Sequence, residues 1–269
     1  MPPRRRYARK SSRRPYTRKS TKKRSTVSSK IKKYVKRQIH KNIENKKIFV
    51  QQGSAFGSIN NNTSMYMFPM LPQTGIWSIP LGVTNGNRIA NKISIRKVVL
   101  RYTLNALAYD AVTNTSCMPC EVDMFLGNVK QYRGQLPTST DLGSLFDGGS
   151  TSYAPVASLI DLTSPINTDY WDIKKRWRHK VGNSNVTGSG AQAGAQYFAN
   201  NDFPLNIVKT LNITKLCPKT VTFNDSVASQ QGPNLYFFYQ ALFANNNVMN
   251  GSQTPLRINY NIEVQYEDA

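Results

Sequence analysis

Residues 92–108 read KISIRKVVLRYTLNALA. β-Branched and aromatic side chains dominate this stretch, and apolar and polar positions trade places along it, as expected of a strand in a sheet. Ile93, Ile95, Lys97, Val99, Arg101 and Thr103 share one face, and Ser94, Arg96, Val98, Leu100, Tyr102 and Leu104 share the other. Neither face is wholly apolar, so the strand either carries a bulge that switches its phase or is buried on both sides. Residues 256–266 alternate more cleanly, with Ile258, Tyr260, Ile262, Val264 and Tyr266 opposing Asn259, Asn261, Glu263 and Gln265.

Working outward, further β-rich runs lie at 48–52, 121–129, 170–181, 205–214, 221–224 and 235–242, separated by Gly, Pro and Asn clusters. No helical stripe appears after residue 47, and no repeat recurs along the chain. Strands without intervening helices point to a sandwich or barrel. About eight antiparallel strands with long loops fit a jelly roll. The expected fold is therefore all-β: a single eight-stranded antiparallel jelly roll over 48–269, preceded by a basic arm over 1–47. Polar insertions at 60–91, 131–168 and 183–201 are long enough to be expected to carry function or an interface.

Charge supports that division. The 269 residues hold 36 Lys plus Arg against 14 Asp plus Glu, a net +22. Residues 1–47 hold 20 of the cations against Glu44 alone, giving +19 and leaving +3 for the remainder. Residues 1–24 contain 12 cations, no acid and almost nothing apolar, so they cannot offset their ordering entropy and are expected to be disordered. Over 27–47, Val27, Ile31, Tyr34, Val35, Ile39 and Ile43 recur at steps of three and four, with Lys30, Lys32, Lys33, Lys36, Arg37 and Lys41 mainly off that stripe. This pattern predicts a basic amphipathic helix.

Such a field selects a polyanion, and Arg forks suit phosphate oxygens. The expected nucleic-acid contacts are Arg4, Arg5, Arg6, Arg9, Lys10, Arg13, Arg14, Arg18, Lys19, Lys22, Lys23, Arg24, Lys30, Lys32, Lys33, Lys36 and Arg37. Arg4-Arg5-Arg6 and Lys22-Lys23-Arg24 also have the form of nuclear import signals. A second basic run, with Lys174, Lys175, Arg176, Arg178 and Lys180, is read either as a polyanion contact or as an edge strand blunted by charge.

Catalytic and metal signatures are missing. His40 and His179 are the only histidines, and no GxSxG, Walker A or HExxH motif occurs. Cys117 and Cys120 form a lone CxxC with only Cys217 besides, too few for a zinc set, so the thiols are read as structural. No metal, cofactor or enzymatic role is expected. No uncharged apolar run approaches about 18 residues, so no membrane span is expected, and no apolar leader opens the chain.

The order of these features resembles the coat proteins of the circovirus-like, replication-initiator-encoding circular single-stranded DNA viruses. The resemblance runs through MPPRRRYARK, KKYVKRQIHKNIENKKI, GNRIANKISIRKVVL at 86–100, the aromatic and basic run at 169–181, PNLYFFY at 233–239 and the last strand. It implies a jelly-roll shell protein that assembles with itself in about 60 copies around a T=1 icosahedron. It further implies an inward arm that packages a single-stranded, circular DNA genome, host nuclear import receptors and an unknown host receptor as partners, and residence in the virion and the host nucleus. The alternative reading is a cellular nucleic-acid-binding protein of ribosomal type with a basic tail, although such a protein would usually spread its cations over the body. A glycan-binding jelly roll or an enzyme with a basic targeting arm is the third.

Overall fold

A computed structural model of the chain describes residues 29–35, 38, 45–56, 65–72, 78–84, 86–110, 112, 114, 118–131, 137–156, 158–183, 200–223, 230–247 and 254–268. The chain divides into two units, Met1–Ile43 and Glu44–Ala269. In the first, residues 29–35 and 38 are helical. The segment 1–24, expected to be disordered, lies outside the described residues.

The second unit is all-β. One sheet is ordered β1 (Asn45–Phe56), β12 (Leu256–Asp268), β3 (Lys92–Ala106), β9 (Thr220–Phe223), β10 (Gln230–Gln231), with β8 (Asn206–Asn212) also pairing with β3. The other is ordered β2 (Tyr66–Pro69), β11 (Tyr236–Phe243), β4 (Cys120–Val129), β7 (Trp171–Val181). Every strand pairing in the two sheets is antiparallel. The sheets pack through a core to which β3 gives Leu100, Tyr102 and Leu104, β12 gives Ile258 and Ile262, and β4 and β11 give Val122, Met124, Phe237 and Tyr239. Aromatic contacts span this core, with Tyr260 of β12 5.0 Å from Phe68 of β2 and 6.3 Å from Phe237 of β11.

The imperfect alternation of 92–106 is a bulge. Gln265 of β12 faces Lys97 and Tyr266 faces Ile95, so Arg96 is the extra residue. Before it Ile93 and Ile95 point into the core; after it Val98, Leu100, Tyr102 and Leu104 do. The extra residue shifts the pleat by one, so both halves of the strand bury their apolar sets. A second bulge sets Leu126 of β4 opposite Lys175 and Gly127 opposite Ile173. A Cβ on Gly127 would lie 2.6 Å from Ile173 Cδ1 and 2.7 Å from the Asp172 carbonyl oxygen, so only glycine fits there.

The insertion at 131–168, expected to carry function or an interface, has secondary structure of its own. Its described part, from 137 on, forms α1 (Ser139–Leu142), a small pair β5 (Phe146–Asp147) and β6 (Ser152–Tyr153), and α2 (Ile160–Thr163). It covers the outer face of the second sheet with its own apolar cluster, in which Leu142, Leu145 and Phe146 meet Phe125, Trp171 and Phe238. The rings of Phe125 and Phe238 stack at 5.1 Å. Strands β4 and β11 are thereby buried on both sides, which is why 236–243 reads as an unbroken apolar run.

The helix expected over 27–47 ends too late. Asn45, Lys46 and Lys47 belong to β1 and pair with Glu267, Tyr266 and Gln265 of β12. Tertiary pairing outweighs local periodicity here. Lys46 is 1% exposed; its ammonium pairs with Asp268 at 2.9 Å and donates to the Asn87 carbonyl at 2.7 Å. Close by, Arg88 is fully buried, donating to the Ile79 and Ala90 carbonyls and to Asn91 Oδ1 and lying 4.5 Å from the Phe223 ring. Tyr266 donates its hydroxyl to the Gly86 carbonyl at 2.8 Å, and Gly86 adopts a φ of 89° that favours glycine. The stretch 86–92 is thus a staple at the ends of β1 and β12.

Candidate nucleic-acid interface

Of the arm contacts read from sequence, Lys30, Lys32 and Lys33 fall on the described helical turns and all three are exposed. Arg4, Arg5, Arg6, Arg9, Lys10, Arg13, Arg14, Arg18, Lys19, Lys22, Lys23, Arg24, Lys36 and Arg37 lie outside the described residues. Ile31, Tyr34 and Val35, on the apolar stripe of the same helix, are 57, 64 and 47% exposed.

The second basic run occupies β7, an edge strand of its sheet. Its five cations do not act alike. Arg176 is turned inward over the Phe125 and Phe146 rings, at 5.1 and 5.6 Å. It meets the fully buried carboxylate of Asp123 at 2.7 Å and donates to the Ser164 carbonyl at 2.9 Å and to the Asp161 carbonyl. Burial pushes the Asp123 carboxyl above its ordinary pKa, and Arg176 and Arg178 pull it back. Arg176 therefore ties β4, β7 and α2 together, and its guanidinium is occupied; the expectation of a surface polyanion contact is corrected for this residue. The other four stay at the surface. Lys174 pairs with Asp172 at 2.6 Å, Lys175 lies 5.4 Å from the Trp177 ring, Arg178 reaches Asp123 only at 3.9 Å, and Lys180 lies 5.1 Å from the Phe203 ring. Four exposed cations thus lie along an edge strand, as the charge-blunted reading of this run expects.

The opposite face of β7 carries a cluster that sequence reasoning missed. Trp177 donates its indole N–H to the Tyr102 oxygen at 2.8 Å, and the Tyr102 oxygen is 2.6 Å from His179 Nε2. Burial pushes the Tyr102 hydroxyl up to about 12, so it keeps its proton and donates it to the imidazole. Burial, aided by Lys209, lowers the His179 pKa, which keeps the ring neutral and able to accept. The cluster joins the two sheets through β3 and β7. It locks the sheets together through hydrogen bonds among the three side chains. The alternation of Trp177, His179 and Val181 along β7 was the available signal for it.

Cys120 and Cys217 are buried; the Cys120 thiol donates to the Met118 carbonyl at 3.3 Å, and burial pushes the Cys217 thiol up to about 12. Cys117 lies outside the described residues. Among the described residues no three His, Cys, Asp or Glu side chains gather as a metal site, and no helix is long and apolar enough to cross a membrane.

Compared with known proteins, the chain matches no family model and no curated protein. Among solved structures it is similar to a chain of Desmodium yellow mottle tymovirus, at 10% identity and a TM-score of 0.29 over 84% of each chain. A TM-score this low carries no weight for function.

Proposed function

We propose that the chain is a viral coat protein, structural and not catalytic, that assembles with copies of itself into a small closed shell and packages single-stranded nucleic acid. The observation that carries this reading is the separation of charge: +19 over residues 1–47 and +3 over the all-β remainder. A concentrated cationic segment suits a packaged polyanion, while a near-neutral body can pack against copies of itself without strong repulsion. With about 60 copies, the arms would supply on the order of a thousand positive charges against one phosphate charge per nucleotide.

The strand order supports the finer reading of a jelly roll. Taking β8 to β10 as one position and setting aside the small β5–β6 pair, one sheet runs first, eighth, third, sixth and the other second, seventh, fourth, fifth. That interleaving across two sheets is what two Greek keys produce. Exposed apolar residues support self-association: Leu81, Val83 and Ile89 in one loop are 52, 93 and 60% exposed. The resemblance to circovirus-like coat proteins favours circular DNA as cargo, virion and host nucleus as locations, and import receptors as partners of Arg4-Arg5-Arg6 and Lys22-Lys23-Arg24.

Negative-stain electron microscopy of the expressed full chain tests this reading. Uniform closed particles are expected; monomers persisting across salt and pH would overturn it. Removing residues 1–43 should abolish most of the salt-sensitive binding to single-stranded DNA.

A further inference from the structure

The outer face of the β1–β12–β3–β8 sheet carries a polar, cationic surface. Two depressions lie on it side by side. One, of about 650 Å³, is lined by Arg96, Lys97, Lys215, Asn212, Thr214 and Gln265. The other, of about 490 Å³, follows the strand register across four strands, over the row Gln51, Asn261, Arg101, Thr210 and the row Gly53, Asn259, Thr103, Val208. Between them, Phe49 projects from β1 with 53% of its surface exposed. Rows two residues apart along a strand are about 6.7 Å apart, on the order of one nucleotide's stride.

Charges on this face are only partly paired. Arg96 meets Glu267, and Arg101 meets Glu263 at 2.6 Å. Among the described residues no carboxylate lies within bridging distance of Lys97 or Lys215. Two cations without a bridging carboxylate, an exposed ring and a row of amides match the three parts of a single strand: phosphates, a base face and base edges. The strand bearing Phe49 also follows the basic segment directly in sequence. A face joining two copies would be expected to be apolar at its centre; here Phe49 and Val208 are the large apolar residues exposed.

We infer that this sheet face is a second nucleic-acid site, on which Phe49 stacks on an unpaired base while Lys97 and Lys215 hold flanking phosphates. The inference rests on the reading of the chain as a genome-packaging coat protein and assigns the body, not only the arm, a share of the cargo.

The test is ultraviolet cross-linking of the full chain to oligothymidylate, mapped by mass spectrometry, with affinities measured over a salt series. A cross-link at Phe49 is expected. The double variant K97A/K215A should lower the slope of log K against log salt by about 1.4, the loss of two phosphate contacts on a single strand. F49A should weaken binding about fivefold or more. Cross-links confined to residues 1–43, with slopes unchanged in the double variant, would overturn the inference while leaving the arm's role intact. Unchanged DNA binding with loss of particles in K97A/K215A would also overturn it, marking the face as a contact between copies. Failure of the unaltered chain to bind DNA at all would overturn the packaging reading itself.

Discussion

Every side chain of β11 is buried, whereas along β12 Arg257 and Asn259 are exposed between buried neighbours. The two strands have similar β propensity, and they differ in what lies over them. The insertion at 131–168 packs apolar residues of its described part on the outside of the β4–β11 sheet, while the outside of the β12–β3 sheet keeps Arg101, Asn259 and Thr103 in contact with solvent. The difference teaches that alternation reports covering: a strand written as YFFYQALF is covered twice, and one written as LRINYNIEVQY is covered once. It also divides labour, since the doubly covered sheet is buried on both faces and the singly covered sheet presents a chemical surface.

The comparison breaks most sharply at Arg176. R176A leaves the buried Asp123 carboxylate with Arg178, at 3.9 Å, as its remaining cation and is expected to cost about 3–5 kcal/mol in chemical denaturation. Replacing Asp123 and Arg176 together with apolar residues of similar size should recover most of that loss; equal losses in the single and double variants would show that the pair is not what joins the insertion to the sheet. F238A removes a ring packed between Phe125 and Trp171 and should cost about 3–5 kcal/mol.

A smaller effect is expected where the sheets meet at the Tyr102–His179–Trp177 lock. The folded His179 has a lowered pKa, while the unfolded chain takes up its proton near pH 6.5. The unfolded state therefore binds more protons below that pH. The contribution of His179 is complete above about 6.5 and declines as pH falls. Denaturation midpoints should drop between pH 7.5 and 5.5 in the native chain and stay nearly level in H179Q. A parallel decline in both would assign the effect to another group.

The smallest stability effects belong to the open surface. V208T, at a residue 73% exposed on the singly covered sheet, should change stability by no more than about 0.5 kcal/mol. V83D should likewise leave the fold intact, yet prevent particles seen by electron microscopy if the 81–89 loop joins copies. Intact particles would move the contact elsewhere.

Much of the body was legible in the chain. Seven of the eight strand-like runs match observed strands closely, and 48–52 found the centre of β1. The short β2 was missed because YMFP, four residues ending in proline, carries too little pattern to separate it from a loop. The site was legible to a lesser degree. Charge counting marked Arg176 as surface, because composition cannot tell a guanidinium that faces phosphate from one that faces a buried aspartate 53 residues earlier. Lys97 and Lys215 are 118 positions apart, and only strand pairing brings them to one depression.

By itself, then, the sequence determined which segments are strands and where the charge is concentrated, because pleat alternation and charge density are local properties of the chain. The tertiary structure alone decided which faces are covered, which arginine is interior and which cations share a surface, because those depend on pairings between residues distant in sequence, where desolvation and packing outweigh any local preference.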